Sequence, residues 1–500
     1  MEWVVNLLPE SWLFVNILMF LGFVALYKTK DELKFLYNIA NFSLVILFFL
    51  LTFQIYLLTK GGYNDTLAIY IGDLILYSNG FFEVFSKLLI SLIAIFINVM
   101  FGAYFGEKKD FVDNGYFRTD LIPLFFSMLL GSFVLISSND FLTFLIAFEL
   151  IAIPSYFVIA MDNKNRISLE GSIKYFLIGS VATVSLLISI LVFYIYSGSL
   201  VFDKNFSLLS SNLQGVKIAF TFFVLAIFIK LAVFPLSFWV QDAYEASRAP
   251  YLLVISTLPK IAVMTIFIKI IFLFGNGFPI FLSVFSALSM ILGTFWALTS
   301  NSIKRILAFS TITNMGYILI PFTSLSFNIL NNSQALSIVY FYIFQYVLST
   351  ILFVSVLIYL EGKYNTTDIR DLRGVLSKNS FLSVFLIISL LSLAGLPPTV
   401  GFVAKFFLFS YSYSFSPILV WIGIITSVVS LYFYYKIAQY LYVNDEKKEK
   451  YNKDIENKID FGFLPIFSSL ILTTFILFLG IFPGSMINII NFIILSLSGL

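Results

Sequence analysis

Apolar stretches of about 20 residues, each long enough to cross a hydrocarbon core roughly 30 Å thick, follow one another along almost the whole chain. They predict fourteen spans, at approximately 10–27, 35–58, 81–105, 121–138, 140–160, 171–197, 217–240, 250–274, 278–299, 302–322, 333–360, 380–411, 415–442 and 461–482. The fold class is therefore an all-α polytopic membrane protein. The first span has neither a basic segment before it nor a small-residue cleavage site after it, so it reads as a retained helix. Between spans two and three, Thr66–Tyr77 (TLAIYIGDLILY) alternates around Gly72-Asp73 and predicts a short β-hairpin. Asn444–Asp460 is a mixed-charge run and reads as a solvated loop. After Pro483 the tail MINIINFIILSLSGL is short for a span and suits an interfacial helix.

Basic residues give the orientation. The connections after odd-numbered spans hold 22 Lys and Arg, the opposite connections hold 3 (Lys60, Lys204 and Lys217), and 5 lie inside spans, which accounts for all 30. Both termini are expected to face outward, with the hairpin on the same side. Composition agrees: the chain is 60% hydrophobic and 11% charged, with a mean hydropathy of +0.98, above the apolar share of about 45–50% in soluble domains. There is no Cys and no His. Disulfides, thiolate metal sites, iron–sulfur clusters and imidazole chemistry are thus excluded from this chain's own side chains. Proton chemistry at neutral pH falls to carboxylates, lysines, tyrosines and water.

Four charges interrupt the apolar spans: Glu149 in FLTFLIAFELIAIPSYF, Lys230 in FVLAIFIKLAVFP, Lys260 in LLVISTLPKIAVM and Lys405 in VGFVAKFFLF. A charge at the bilayer centre costs roughly 2.5–3.5 kcal/mol on the insertion scale, so four unpaired ones oppose insertion by about 10 kcal/mol. Charges kept against that cost are candidates for proton transfer. At 1.5 Å per residue, Glu149 lies about 13 Å along its span and Lys260 about 15 Å along its own, both near mid-membrane, whereas Lys405 comes late in an outward-running span. An amine exchanges protons near neutrality only when its charged form is disfavoured by about 4 kcal/mol relative to water. A carboxylate at about 4 Å restores roughly that amount at an effective dielectric of 20. Moving Glu149 toward or away from Lys230 would therefore switch that lysine between holding and releasing a proton.

Prolines cluster beside these charges. Pro235 follows Lys230, Pro259 precedes Lys260, and Gly395-Leu396-Pro397-Pro398 lies two turns before Lys405. Each proline deprives the carbonyl four residues earlier of its helical donor, here Leu231, Ile255, Leu393 and Ala394. Pro235, Pro259, Pro397 and Pro398 are therefore expected helix breaks. Breaks in spans 7 and 12 point to two inverted five-helix repeats with sites near the midplane. The expected organisation is 1–120 (spans 1–3 with the hairpin), 121–274 (first repeat), 275–442 (second repeat) and 443–500 (loop, span 14 and tail). Glu83 and Lys87, spaced i,i+4, are expected to form an interfacial salt bridge, and Lys269 to snorkel outward. The aromatic richness is assigned to lipid contact and packing, with no cofactor.

The run KLAVFPLSFWVQDAYEASRAPYLLVISTLPKIAV resembles the seventh-to-eighth-helix signature of the antiporter-like subunits of respiratory complex I and of multisubunit cation/proton antiporters. SLEGSIKYFLIGS, NSIKRILAFSTITNMGYIL and LAGLPPTVGFVAKFFLF match further blocks of that family, so the resemblance spans roughly residues 139–409. A lysine on helix 12, fourteen helices and no long lateral extension look most like the N-type branch of bacterial NADH-quinone oxidoreductase. The resemblance implies that Glu149 and Lys230 are a regulatory pair, Lys260 the central proton carrier and Lys405 the link to the outer exit. It also implies that the hairpin and the C-terminal tail couple neighbouring subunits. The family often has histidine where this chain has Ser237 and Asn314, and ordered water would have to bridge both positions.

The resemblance thus implies a proton-translocating subunit of the bacterial inner membrane, with periplasmic termini, in an enzyme complex that couples NADH oxidation to quinone reduction. No redox chemistry is expected in this chain, which has no G-x-G-x-x-G loop after a strand. NAD(H) or another donor, FMN, iron–sulfur clusters and quinone are expected in partner subunits. Expected partners are the neighbouring antiporter-like subunits, small membrane subunits of the complex and the lipid bilayer, with no nucleic acid. A subunit of a multisubunit sodium/proton antiporter is the alternative, and a scaffold whose charges are static glue is a third reading.

Overall fold

The computed structural model describes residues 6–26, 30–60, 67–71, 74–107, 120–162, 165–211, 213–274, 279–324, 329–364, 366–378, 380–442 and 462–498. These residues form helices α1 (Leu8–Leu26), α2 (Lys30–Lys60), α3 (Phe81–Glu107), α4 (Leu121–Ser137), α5 (Phe141–Ala160) and α6 (Arg166–Ser197). A broken helix follows, α7a (Gln214–Leu231) with α7b (Phe238–Ala246), then α8 (Ala249–Phe274), α9 (Pro279–Thr299), α10 (Ile303–Leu319) and α11 (Ile329–Tyr364). A second broken helix, α12a (Ser380–Ala394) with α12b (Val400–Ser412), precedes α13 (Pro417–Tyr442), α14 (Phe463–Ile481) and α15 (Pro483–Leu495). Twelve of these are long and apolar enough to span a membrane. The shorter α4 and the α12a–α12b pair supply the other two predicted spans. The chain is a multi-pass membrane protein.

Strands β1 (Leu67–Ile71) and β2 (Leu74–Asn79) pair antiparallel with one irregularity between Ile69 and Tyr70, so the predicted hairpin is present. Its expected tip, Gly72-Asp73, lies outside the described residues, as does the Asn444–Asp460 run. The tail is helical from Pro483, packs on α11 and sets Phe492 edge-on to Phe81 at 6.0 Å.

Connections gather alternately at two ends, as the charge pattern requires. At the hairpin end, Asn139 N–H donates to Leu76 (3.1 Å), Phe141 N–H to Leu200 (3.0 Å) and Phe202 N–H to Asn139 (2.9 Å), joining the even-numbered connections. At the other end, Arg248 pairs with Asp162 (2.8 Å), Lys304 with Glu361 (3.0 Å) and Arg305 with Glu245 (2.5 Å). Apolar side chains such as Ile173, Phe176 and Val184 of α6, and Ile418, Val428 and Tyr432 of α13, stay exposed on the perimeter. In water such a surface is an aggregation liability, and in lipid it is the solvated face. By contrast α8 and α11 are enclosed by protein along nearly their whole apolar lengths, with α10 almost as deeply placed.

Two of the three expected breaks occur. Helix α7a ends at Ala232 in the left-handed region (φ 61°), where Val233 N–H closes on Phe228 at 3.0 Å, and α12a ends at Gly395 (φ 81°), where Leu396 N–H closes on Leu391 at 2.9 Å. The following Phe234–Pro235 and Pro397–Pro398 peptide bonds are cis. Pro259 breaks nothing, contrary to expectation, because α8 runs unbroken through it. One proline removes one backbone donor, and packing against α4, α10's neighbour α11 and α3 holds the rest of the helix in register.

Candidate functional site

The proline breaks shape the two end pockets. With no N–H on Pro397 or Pro398, the carbonyls of Leu393 and Ala394 lose their helical donors, and the Lys405 ammonium fills that gap. Lys405 Nζ donates to Ala394 O at 2.7 Å, to Leu393 O at 3.2 Å and to Ser427 Oγ of α13 at 3.1 Å, and it sits 5.1 Å from the Tyr317 ring centroid. Lys405 is 5% exposed, so it does not snorkel. One side of its pocket is a cleft of about 390 Å³ between α12b and α13, lined by Phe402, Phe406, Phe409 and Val428.

In the first half, Lys230 ends α7a inside an aromatic box. Its Nζ donates to Tyr156 Oη at 3.0 Å and lies 5.0, 5.1 and 5.7 Å from the rings of Phe148, Tyr156 and Tyr175. Such ring faces attract a desolvated cation by up to about 2 kcal/mol each. The box is braced by the α7 break: Trp239 of α7b stacks on Tyr175 at 4.3 Å and donates from Nε1 to Ile229 O at 2.9 Å. Glu149 is only half-buried, on α5, and accepts from the Thr183 hydroxyl of α6. It makes no direct ion pair with Lys230. Glu149 and Lys230 thus each rest on a hydroxyl, Thr183 and Tyr156, and are not in contact with each other.

Lys260 occupies the centre of the enclosed helix α8 with no exposed surface. Snorkelling is therefore excluded for it. Its ammonium donates to the Tyr244 hydroxyl of α7b, with the Tyr244 and Tyr346 rings at 4.9 and 5.7 Å. From there hydroxyls and amides lead toward the second half. Tyr346 shares a 2.7 Å hydrogen bond with Thr311, Tyr342 donates to Asn314 Oδ1 at 2.8 Å, and Tyr317 donates to Thr426 at 3.2 Å. Tyr317 is the residue whose ring faces Lys405. Lys230, Lys260 and Lys405 are thus each buried among tyrosines, with Glu149 half-buried on α5.

The tyrosines are what sequence reading missed. Lys230, Lys260 and Lys405 each meet a tyrosine, whereas the sequence assigns the aromatic content to lipid contact and packing. The available signal was spacing: Tyr156 falls at i+7 from Glu149 on one helix face, and Tyr342 and Tyr346 are i,i+4 on one face of α11. Of the two positions singled out for lacking histidine, Asn314 accepts a hydrogen bond from Tyr342. Ser237, at the start of α7b, is buried and its hydroxyl has no hydrogen-bond partner.

Two other charge assignments need correction. Glu83 and Lys87 do not pair with each other: Lys87 binds Glu10 of α1 at 2.6 Å, and Glu83 binds Lys269 of α8 at 2.7 Å, all four buried. Glu83 also accepts from Gly80 N–H at 3.0 Å, which turns its carboxylate back over the helix start and away from Lys87. Lys269 does not snorkel outward but points inward onto Glu83.

Comparison with known proteins agrees with this architecture. Residues 138–430 match the family model described as NADH:quinone oxidoreductase/Mrp antiporter, transmembrane. NADH-quinone oxidoreductase subunit N of Pelagibacter ubique is 31% identical, over 97% of this chain and 98% of that protein. Its counterpart in Rickettsia typhi is 31% identical, over 76% of this chain and 81% of that protein. Among solved structures, a chain of respiratory complex I from Thermus thermophilus superposes with a TM-score of 0.74 at 22% identity, over 96% of this chain and 98% of that one. A chain of the Mrp complex from Dietzia gives 0.81 at 17% identity, over 98% and 97%.

Proposed function

Because the chain belongs to the NADH:quinone oxidoreductase/Mrp antiporter transmembrane family, as one of its antiporter-like membrane subunits, we propose that it translocates protons within an NADH-quinone oxidoreductase. The observation that carries this reading is the three buried lysines, each set on hydroxyls, carbonyls or aromatic faces instead of a carboxylate. A structural ion pair would hold a proton on each amine permanently. An amine solvated by neutral groups in a dry interior can lose its proton and regain it.

Glu149 is the switch. In the separated arrangement its carboxylate rests on Thr183, and Lys230 rests on Tyr156. Closing that gap stabilises the Lys230 ammonium, and opening it releases the proton toward Tyr244 and Lys260. Lys260 is the carrier between halves, and Lys405 hands the proton to the end of α12b. The inverted five-helix repeats, the bacterial inner-membrane location and the outward termini belong to the same reading. So do the partner subunits that would hold NAD(H), FMN, iron–sulfur clusters and quinone. The sodium/proton antiporter alternative shares the fold, and the full-length likeness to subunit N favours the first reading.

Glu149→Ala, built into the whole complex and assayed in sealed membrane vesicles, is expected to lower the protons moved per quinone reduced and to slow coupled quinone reduction, with the complex still assembled. A parental ratio in that variant would refute the switch. Iron–sulfur subunits should co-purify with the chain, and their absence would favour the antiporter.

A further inference from the structure

Apart from the lysines just described, the largest cluster of buried charge among the described residues is at the hairpin end, where α1, α3, α8 and β2 meet. Lys87 Nζ binds Glu10 Oε1 (2.6 Å), Asn79 Oδ1 (2.6 Å) and Tyr77 Oη (2.9 Å), and Tyr77 itself donates to Glu10 at 2.6 Å. This half is well satisfied and fixes strand β2 to α3, although Glu10 Oε2 is buried without a hydrogen-bond partner. The other half is not. Lys269 Nζ lies 2.7 Å from Glu83 Oε1 but outside hydrogen-bonding geometry, and has no other polar partner. An ammonium carries three donors. Enclosed ion pairs of this kind are seldom justified by stability, since well-packed apolar residues of similar volume often do as well or better.

The position of Lys269 suggests its use. It is on α8, nine residues beyond Lys260, or about 13.5 Å along the helix. On α8 itself the interval is apolar except for Thr265. Thr265 lies between the two lysines on α8 and beside the Tyr340 hydroxyl of α11. Tyr340 donates to Ser86 Oγ at 2.8 Å, and Ser86 is adjacent to Lys87 and one turn from Glu83 on α3. All of these residues are buried.

We propose that Glu83 and Lys269 form a proton outlet for Lys260 at the hairpin end, reached through Thr265, Tyr340 and Ser86, with Glu10 and Lys87 anchoring β2 over it. The inference rests on the reading of Lys260 as a carrier, and it gives the first half of the chain an exit that bypasses Lys405. Each relay hydroxyl takes one proton on oxygen and gives one up, so it ends unchanged. The Lys260 ammonium becomes an amine, and the Glu83 carboxylate becomes a carboxylic acid. That acid then passes the proton to water at the Gly80 corner, restoring the pair with Lys269.

The test compares Lys260→Met, Lys269→Met and Tyr340→Phe in the assembled complex, measuring protons moved per quinone reduced in sealed vesicles and yield by co-purification. Lys269→Met and Tyr340→Phe are expected to lose most of the proton share that Lys260→Met loses. Tyr340→Phe keeps the ring on Phe82, 5.7 Å away, so it decides the matter if Lys269→Met fails to assemble. A merely structural cluster would reduce yield while leaving the ratio at the parental value, and that result overturns the outlet. If Lys260→Met itself kept the parental ratio, the carrier reading would fall instead.

Discussion

Lys260→Met and Lys260→Arg are both expected to stop translocation through this subunit, lowering its proton flux by about 100-fold or more, the low end of what a positioned proton donor and acceptor contributes. The two variants isolate different properties. Methionine keeps much of the volume and removes the titratable group, so packing against Tyr244 and Tyr346 changes little. Arginine keeps the charge, and its guanidinium does not release a proton in a protein. If Lys260 acted only as a fixed positive charge, Lys260→Arg would pump. Proton flux of reconstituted complexes, normalised to quinone reduction, separates these outcomes, and a pumping arginine variant would remove the carrier role. Because the site is fully enclosed between α7b, α8 and α11, no lipid-facing escape of the longer side chain relieves the substitution.

The features written locally in the chain were legible. Apolar run length gave fourteen spans, and the alternation of basic residues gave two ends that the structure assembles from the expected connections. Pro397 and Pro398 identified Leu393 and Ala394 as the carbonyls in need of donors, and Lys405 binds those two. The same rule overreached at Pro259. A broken helix needs a second event beside the proline: Ala232 and Gly395 turn left-handed at the ends of α7a and α12a, and α8 has no such residue among those described.

Partnerships between distant segments were not legible. The i,i+4 spacing of Glu83 and Lys87 suggested a local pair, yet each finds its counter-charge on another helix, Lys269 and Glu10. Local spacing is worth only about 0.2–0.5 kcal/mol on a helix, which burial against a distant charge easily outweighs. The tyrosines were hidden differently. Tyrosine is common in lipid-facing helices, so nothing in composition separates the hydroxyls at 156, 244, 317, 342 and 346 from those at the perimeter. Only the fold shows that these five are buried beside the lysines and their polar neighbours, three of them on the enclosed α10 and α11.

Gly401→Ala tests whether the α12 break is built to hold Lys405. A Cβ at Gly401, in the first turn of α12b, would lie 1.8 Å from the carbonyl oxygen of Ser392 in α12a, and backbone cannot swing aside as a side chain can. The half-helices must separate. Lys405 is one turn further on the same face of α12b, so the displacement draws its ammonium off Ala394 and Leu393. Overpacking costs about 1–3 kcal/mol, and each hydrogen bond lost from a charged group a further 1.5–3, roughly. Together these predict a marked fall in assembled complex, a lower thermal midpoint and loss of pumping in what assembles. Gly22→Ala is the control: a Cβ there meets nothing within 4 Å, and alanine within a helix is favoured over glycine by roughly 0.5–1 kcal/mol. If Gly401→Ala matched Gly22→Ala in yield and thermal midpoint, the close apposition of α12a and α12b would not be what positions Lys405, and the link between the two prolines and the amine would fail.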